Sequence, residues 1–251
     1  MSVTTTQDND YHAVALQLCS DQVPEGWELV VSSPFTRVAR NAERGESYQE
    51  FLPRSPIGRL QDLLRGSRGT RARRHSNALN HAGFTAPTSL AWGRLPQGRE
   101  YLFTSAMAGD SITHWLRHGL TGRDPATLLL RRNLLRELGT CIGRLHASGF
   151  IHGDLQPHNV LATYKGGQFR FALLDNEGNL RRQPPPGKLL LKNLMQLNML
   201  LPEDLTRSDR WRFFLSWRRQ HPELGHSEAR ILAMEAYQRA IRALQETGKA
   251  P

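Results

Sequence analysis

Asp154, Asn159 and Asp175 are the residues of this 251-residue chain whose types and spacing could do chemistry together. They lie in Ile151-His-Gly-Asp-Leu-Gln-Pro-His-Asn-Val160 and in Leu173-Leu-Asp-Asn-Glu177. An aspartate, an asparagine five residues on, and a second aspartate ending an apolar segment are the set that phosphoryl transfer needs. Asp154 would accept the proton of an attacking hydroxyl, while Asn159 and Asp175 would hold magnesium on the phosphates. His152 would serve the same centre by bracing its loop through hydrogen bonds. Gln156 and His158, on that loop, are assigned to the acceptor. The bland alternative is a surface loop in which Asp and Asn merely make turns. Three residues at matching positions favour the catalytic reading over it.

The elements that must position these residues follow from local signals. Gly153 and Pro157 interrupt any regular periodicity, so 152–159 reads as an irregular loop. Val160–Thr163 and Phe169–Leu174 read as strands joined by the turn Lys165-Gly-Gly167. Such a hairpin carries Asn159 at its entrance and Asp175 at its exit, so two oxygen ligands converge as a hard cation requires. Upstream, Pro125–Ser148 is the strongest helix, with Leu128, Leu135, Leu138, Ile142 and Leu145 at helical spacing. Earlier still, Trp27–Val31, Phe35–Arg40, Ser47–Phe51, Thr88–Trp92 and Glu100–Thr104 read as antiparallel strands. Pro56–Ala82 between them is helical in character, and Met1–Asp10 reads as disordered. Asp110–His118, Lys188–Leu201, Asp209–Gln220 and Ser227–Glu246 read as helices, the last with Ser227 as N-cap. The expected fold class is α+β: a β-rich N-lobe over 11–104, a hinge over 105–109 and a helical C-lobe over 110–251.

Composition narrows the classes. Hydrophobic content of 39% and 22% charged residues suit a soluble globular chain. No apolar run is long enough to span a bilayer, and Met1–Asp10 lacks a signal-peptide core. Cys19 and Cys141 form neither a disulfide framework nor a cysteine metal site, which fits a reducing cytoplasm. The net charge of +10 comes almost wholly from arginine, since lysine occurs only at 165, 188, 192 and 249. Seven arginines lie between Arg54 and Arg74. A second cluster, Arg207 to Arg219, interleaves with Trp211, Phe213, Phe214 and Trp217. These faces could meet phosphates, an anionic membrane surface or a phosphorylated glycolipid. A nucleic acid ranks last, because such aromatics are more often core than stacking platforms. His75 and His81 lack a metal-binding spacing, and no P-loop, GxSxG or dinucleotide fingerprint occurs.

From about Trp27 to Leu244 the chain resembles the bacterial lipopolysaccharide kinases, which have a protein-kinase-like bilobal fold. Besides the loop and the strand end quoted above, the similarity rests on Tyr48-Gln-Glu-Phe51, Leu60 to Arg68, Ala82-Gly-Phe-Thr-Ala-Pro87 and Lys192-Asn-Leu-Met-Gln-Leu197. The resemblance implies ATP-dependent phosphorylation of a Kdo or heptose hydroxyl, with Mg2+, on lipopolysaccharide core or a lipid A-linked sugar. It places the protein at the cytoplasmic face of the inner membrane. Ser105–Gly109 would be the hinge that pairs with adenine, with Met107 as a floor.

One half of the pattern is absent. Such kinases place a lysine on the third strand and a glutamate on the adjacent helix to hold the α and β phosphates. Here Gln49 or Glu50 takes the lysine's place, no lysine precedes residue 165, and Asp62 is the only acid between Glu50 and Glu100. An arginine such as Arg37, Arg73 or Arg74 could supply the missing charge. Otherwise the chain is a pseudokinase that binds glycolipid or membrane. A small-molecule phosphotransferase of the same fold is a further alternative, against which the Arg-rich composition speaks.

Overall fold

The computed structural model describes residues 6–30, 34–52, 66–185, 187–246 and 248, with the side chains of 6–9 outside that description. The arginine run from Arg54 to Arg65 and the start of the expected 56–82 helix therefore lie outside the described residues. The chain divides into two compact units, 1–107 and 108–251.

The first unit is built on a five-stranded antiparallel sheet. Its helix α1 (Thr6–Cys19) begins within the segment expected to be unstructured, so that expectation fails from Thr6 onward. Tyr11, Ala15 and Leu18, spaced along one face of α1, bury against Trp27, Ala39, Tyr48 and Phe103 of the sheet. The strands are β1 (Trp27–Val30), β2 (Thr36–Asn41), β3 (Glu46–Phe51), β4 (Ser89–Arg94) and β5 (Glu100–Ser105), in spatial order β1-β2-β3-β5-β4. Helix α2 (Arg68–His81), capped by Ser67, covers the other face, where Ala72 meets Phe51 and Leu102.

Alternation along β3 decides where its polar residues go. Tyr48 and Glu50 turn toward α1, whereas Gln49 and Phe51 turn toward α2. Glu50 is fully buried, which demands partners. Arg99 Nη1 lies 2.8 Å from its Oε1, and Arg37 Nη1 lies 3.4 Å from its Oε2. Arg37 also donates to the Leu18 and Cys19 carbonyls at the end of α1 and pairs with Asp21. A cation at a helix C-terminus is favourable, so this one guanidinium ties α1 to the sheet.

The second unit opens with β6 (Asp110–Ser111) and an irregular helical segment over 112–119. The expected single helix over 110–118 is thus shortened, because its first two residues pair with the hairpin strand β8. Helix α3 (Pro125–Ala147), β7 (Phe150–Ile151), β8 (Val160–Lys165), β9 (Gln168–Leu173) and β10 (Leu180–Arg181) follow. Three helices complete the unit: α4 (Gly187–Leu197), α5 (Arg207–Arg218) and α6 (His226–Glu246). Ser227 lies inside α6, two residues past the cap position, which Gly225 occupies. The cap that sequence reading missed belongs to α5, where Thr206 and Asp209 form a reciprocal capping box and Asp209 also pairs with Arg131.

Helix α3 packs closely on α5 because it is glycine where the two meet. A Cβ on Gly139 would lie 2.2 Å from the Phe213 carbonyl oxygen, and one on Gly143 would lie 2.8 Å from that of Trp217. Gly139→Ala should therefore force the helices apart and lower the unfolding free energy by about 1–3 kcal/mol. Urea denaturation measures it; a variant as stable as the parent would contradict this packing.

Candidate active site

The irregular loop 152–159 is legible as a polar problem. Its backbone groups leave regular structure inside a packed unit, so each needs a partner from elsewhere. Side-chain amides on α4 supply several. Asn193 Oδ1 accepts from the His152 backbone N–H at 3.0 Å, and Asn193 Nδ2 donates to the His152 carbonyl at 2.8 Å. Gln196 Oε1 accepts from Leu155 N–H at 3.1 Å, and Lys192 Nζ donates to the Gly153 carbonyl at 3.2 Å. From the turn after β9, Asn179 Oδ1 accepts from Gly153 N–H at 2.9 Å. Here two backbones touch: a Cβ on Gly153 would lie 2.5 Å from Gly178.

His152 is buried and neutral. Its Nε2–H donates to the Leu174 carbonyl at 2.9 Å, which leaves Nδ1 to accept from Asp154 N–H at 3.1 Å. Burial lowers its pKa to about 4. Both ring nitrogens are engaged, so the ring fixes the loop to the strand end and is not available to a substrate hydroxyl. His146, the last residue but one of α3, stands behind Asn193. Trp217 Nε1–H donates to its Nδ1 at 2.9 Å, so its Nε2–H faces Asn193 Oδ1 at 3.1 Å. Complete burial lowers its pKa to about 3. The hydrogen-bond capacity of Asn193 is thereby used on all sides.

The three residues expected to do the chemistry meet at this loop and hairpin. Asn159 Nδ2 donates to the Asp154 carbonyl at 3.0 Å and to Asp154 Oδ2 at 3.2 Å. That orientation turns Asn159 Oδ1 away as an acceptor with no partner among the described residues. Leu174 N–H donates to the Asn159 carbonyl at 2.9 Å, which brings Asp175 alongside. Asp175 has φ 54° and ψ 56°, a left-handed conformation that a non-glycine residue adopts at a cost. The strain sits at the residue expected to hold metal. Among the described residues no group of three or more His, Cys, Asp or Glu converges on one point. An amide oxygen and a carboxylate suit magnesium, which completes its shell with phosphates and water.

The other expected site residues are placed less specifically. His158 is exposed and Gln156 half-buried on the same loop. In the first unit, Gln49 is half-buried on the α2 face of the sheet. Ser105 N–H already donates to the Thr88 carbonyl, and its Oγ accepts from Thr88 N–H. Ala106 N–H donates to the Gly45 carbonyl, so the N–H groups of residues 105 and 106 are both committed within their own unit. Met107 is half-buried. Among the arginines considered as a charge donor, Arg37 is held by Glu50, Asp21 and α1, and Arg73 stacks 3.9 Å over Trp92. Arg74 is exposed. Sequence reading missed Asn176, Asn179, Asn193 and Gln196 as site residues. Asn193 and Gln196 stand three apart, on one face of α4, and that spacing was the available signal.

A loop that carries Asp154 against a hairpin bearing Asn159 and Asp175 is the arrangement of kinase-type phosphotransferases. The chain belongs to the lipopolysaccharide kinase (Kdo/WaaP) family, whose model matches residues 60–216. Its fold is kinase-like. A structure of WaaP in complex with acyl carrier protein matches 86% of this chain and 88% of that one, at 18% identity and a TM-score of 0.60. A type VIII aminoglycoside-3'-phosphotransferase matches 94% of this chain and all of that one, at 16% identity and a TM-score of 0.56. The bifunctional kinase-methyltransferase WbdD matches 86% of this chain at 18% identity and a TM-score of 0.52; the match spans about half of WbdD's length. Family and fold together define a phosphotransferase.

Burial of two neutral histidines makes folding pH-dependent. Both have folded pKa values below the ordinary value near 6.5, so the unfolded chain binds more protons as pH falls. Their contribution is intact above about pH 6.5 and is lost as pH drops toward 4 and then 3, by on the order of 2–3 kcal/mol for each at pH 4. Urea midpoints should fall between pH 7.5 and pH 5; a flat profile would contradict neutral burial.

Proposed function

We propose that the protein transfers the γ-phosphoryl group of ATP to a sugar hydroxyl, Kdo or heptose, of the lipopolysaccharide inner core. The observation that carries this reading is the junction of Asp154 with Asn159 by two hydrogen bonds, with Asp175 beside them at the strand end. Asp154 orients the acceptor hydroxyl and takes its proton as the new O–P bond forms. The bond between the γ-phosphorus and the β,γ-bridging oxygen breaks, and its electron pair leaves with ADP. Asn159 Oδ1 and the Asp175 carboxylate would hold Mg2+, which neutralises phosphate charge. His152 keeps the loop on the strand end without exchanging protons. Gln156 and His158 face the acceptor, and Ser105, Met107, Gln49 and Arg37 belong to the nucleotide side. There Arg37 acts by holding the sheet, given how its guanidinium is engaged.

The acceptor carries phosphates and carboxylates that arginine binds well. We place the protein at the cytoplasmic face of the inner membrane. In support, a groove of about 530 Å³ runs between α4, α5 and α6, with Trp211 and Met234 exposed on it. Its lining includes Arg207 and Arg230 and, among the described residues, no acidic one, which suits an anionic lipid surface. Among the described residues no helix is long and apolar enough to cross a membrane.

Purified protein given radiolabelled ATP, Mg2+ and deacylated core oligosaccharide should label the sugar, and Asp154→Asn should label it at least about a hundredfold more slowly. The parent should also float with vesicles containing anionic phospholipid. If neither label transfer nor nucleotide-induced thermal stabilisation occurs, the protein is a pseudokinase and the proposed activity is wrong.

A further inference from the structure

Asp154 is gripped from α4 by a residue whose orientation leaves no choice of atom. Gln196 is buried, 6% exposed, and its Oε1 accepts from Leu155 N–H at 3.1 Å and from Asn193 Nδ2 at 3.2 Å. Two donors on one end of the amide settle which end is oxygen. The other end, Nε2, therefore points at Asp154 Oδ1, 2.7 Å away. Asp154 Oδ2 takes its own donor from Asn159 at 3.2 Å. Each oxygen of the carboxylate thus accepts one hydrogen bond from a neutral amide.

We propose that Gln196 is a positioning residue for phosphoryl transfer, acting through Asp154. Its donor, with that of Asn159 on the other oxygen, fixes the plane of the carboxylate. The lone pairs left on the two oxygens then face the acceptor hydroxyl in a single orientation. Asn193 makes the arrangement rigid, because one side chain holds the His152 backbone, the His146 ring and the Gln196 amide together. The inference rests on the reading of Asp154 as the base. It adds that the base is aimed from α4, more than forty residues downstream in sequence.

Gln196→Glu changes one atom in effect. It keeps the size of the side chain and the oxygen that accepts from Leu155 and Asn193, and it replaces the donor to Asp154 by an acceptor. A merely structural role predicts near-parental activity for Gln196→Glu and a larger defect for Gln196→Met, which loses both ends. A positioning role predicts the reverse order. The kcat of Gln196→Glu should fall about tenfold or more, and further than that of Gln196→Met, with KM for ATP unchanged within about twofold. If Gln196→Glu keeps its kcat while Asp154→Asn is inactive, the proposal is overturned and Asp154 remains the base. If Asp154→Asn retains full activity, the reading beneath it fails instead. Turnover is not the only readout. The Gln196 side-chain amide protons, assigned in NMR spectra by their loss in Gln196→Met, should shift in Asp154→Ala. Unmoved resonances would refute the contact itself.

Discussion

The side chain of Asn193 accepts from the backbone N–H of His152 and donates to the carbonyl of the same residue. A loop that must present a carboxylate cannot satisfy its own backbone, and buried N–H and C=O groups left unpaired would each cost about 1–3 kcal/mol. Asn193 removes that cost at the residue where the chain leaves β7. Behind it, the His146 ring and Trp217 carry the support into the α3–α5 packing. The glycines on α3 that admit α5 and the amides on α4 that hold the loop therefore belong to one continuous structure. The site depends on that structure more than on any contact of its own charged groups.

The first unit solves a different electrostatic problem. A carboxylate at Glu50 is fully buried on β3, and two arginines balance it. Removing either kind of partner alone would leave buried charge without compensation. Arg37 is thereby tied to the folding of α1 onto the sheet. The second unit, in contrast, brings together a carboxylate, an amide oxygen turned outward and a strained aspartate.

Local chemistry was readable and long-range chemistry was not. The hairpin from Val160 to Leu173 and the helix from Pro125 to Ala147 follow from alternation, a Gly-Gly turn and a leucine stripe. Asp154, Asn159 and Asp175 are recognisable because their separations along the chain are set by that hairpin. Helix α1 escaped notice because the buried residues described on it, Tyr11, Ala15 and Leu18, stand in a polar segment. The strands β7 and β10, two residues each, carry no periodicity to detect. Asn193 and Gln196 look like ordinary polar residues of an amphipathic helix; only the fold shows that their face turns toward the 152–159 loop. The aromatics Phe213, Phe214 and Trp217 proved to be core, and Trp211 alone of that cluster is exposed.

The most direct measurement is the position of a metal ion. Crystals grown with Mn2+ and a non-hydrolysable ATP analogue would locate it by anomalous scattering. The expected peak is bonded to Asn159 Oδ1 and an Asp175 carboxylate oxygen, with Asp154 uncoordinated and still accepting from Gln196. A nucleotide bound without metal there, or a metal on Asp154 with the Asn159 amide turned over, would contradict the assignment of base and ligands.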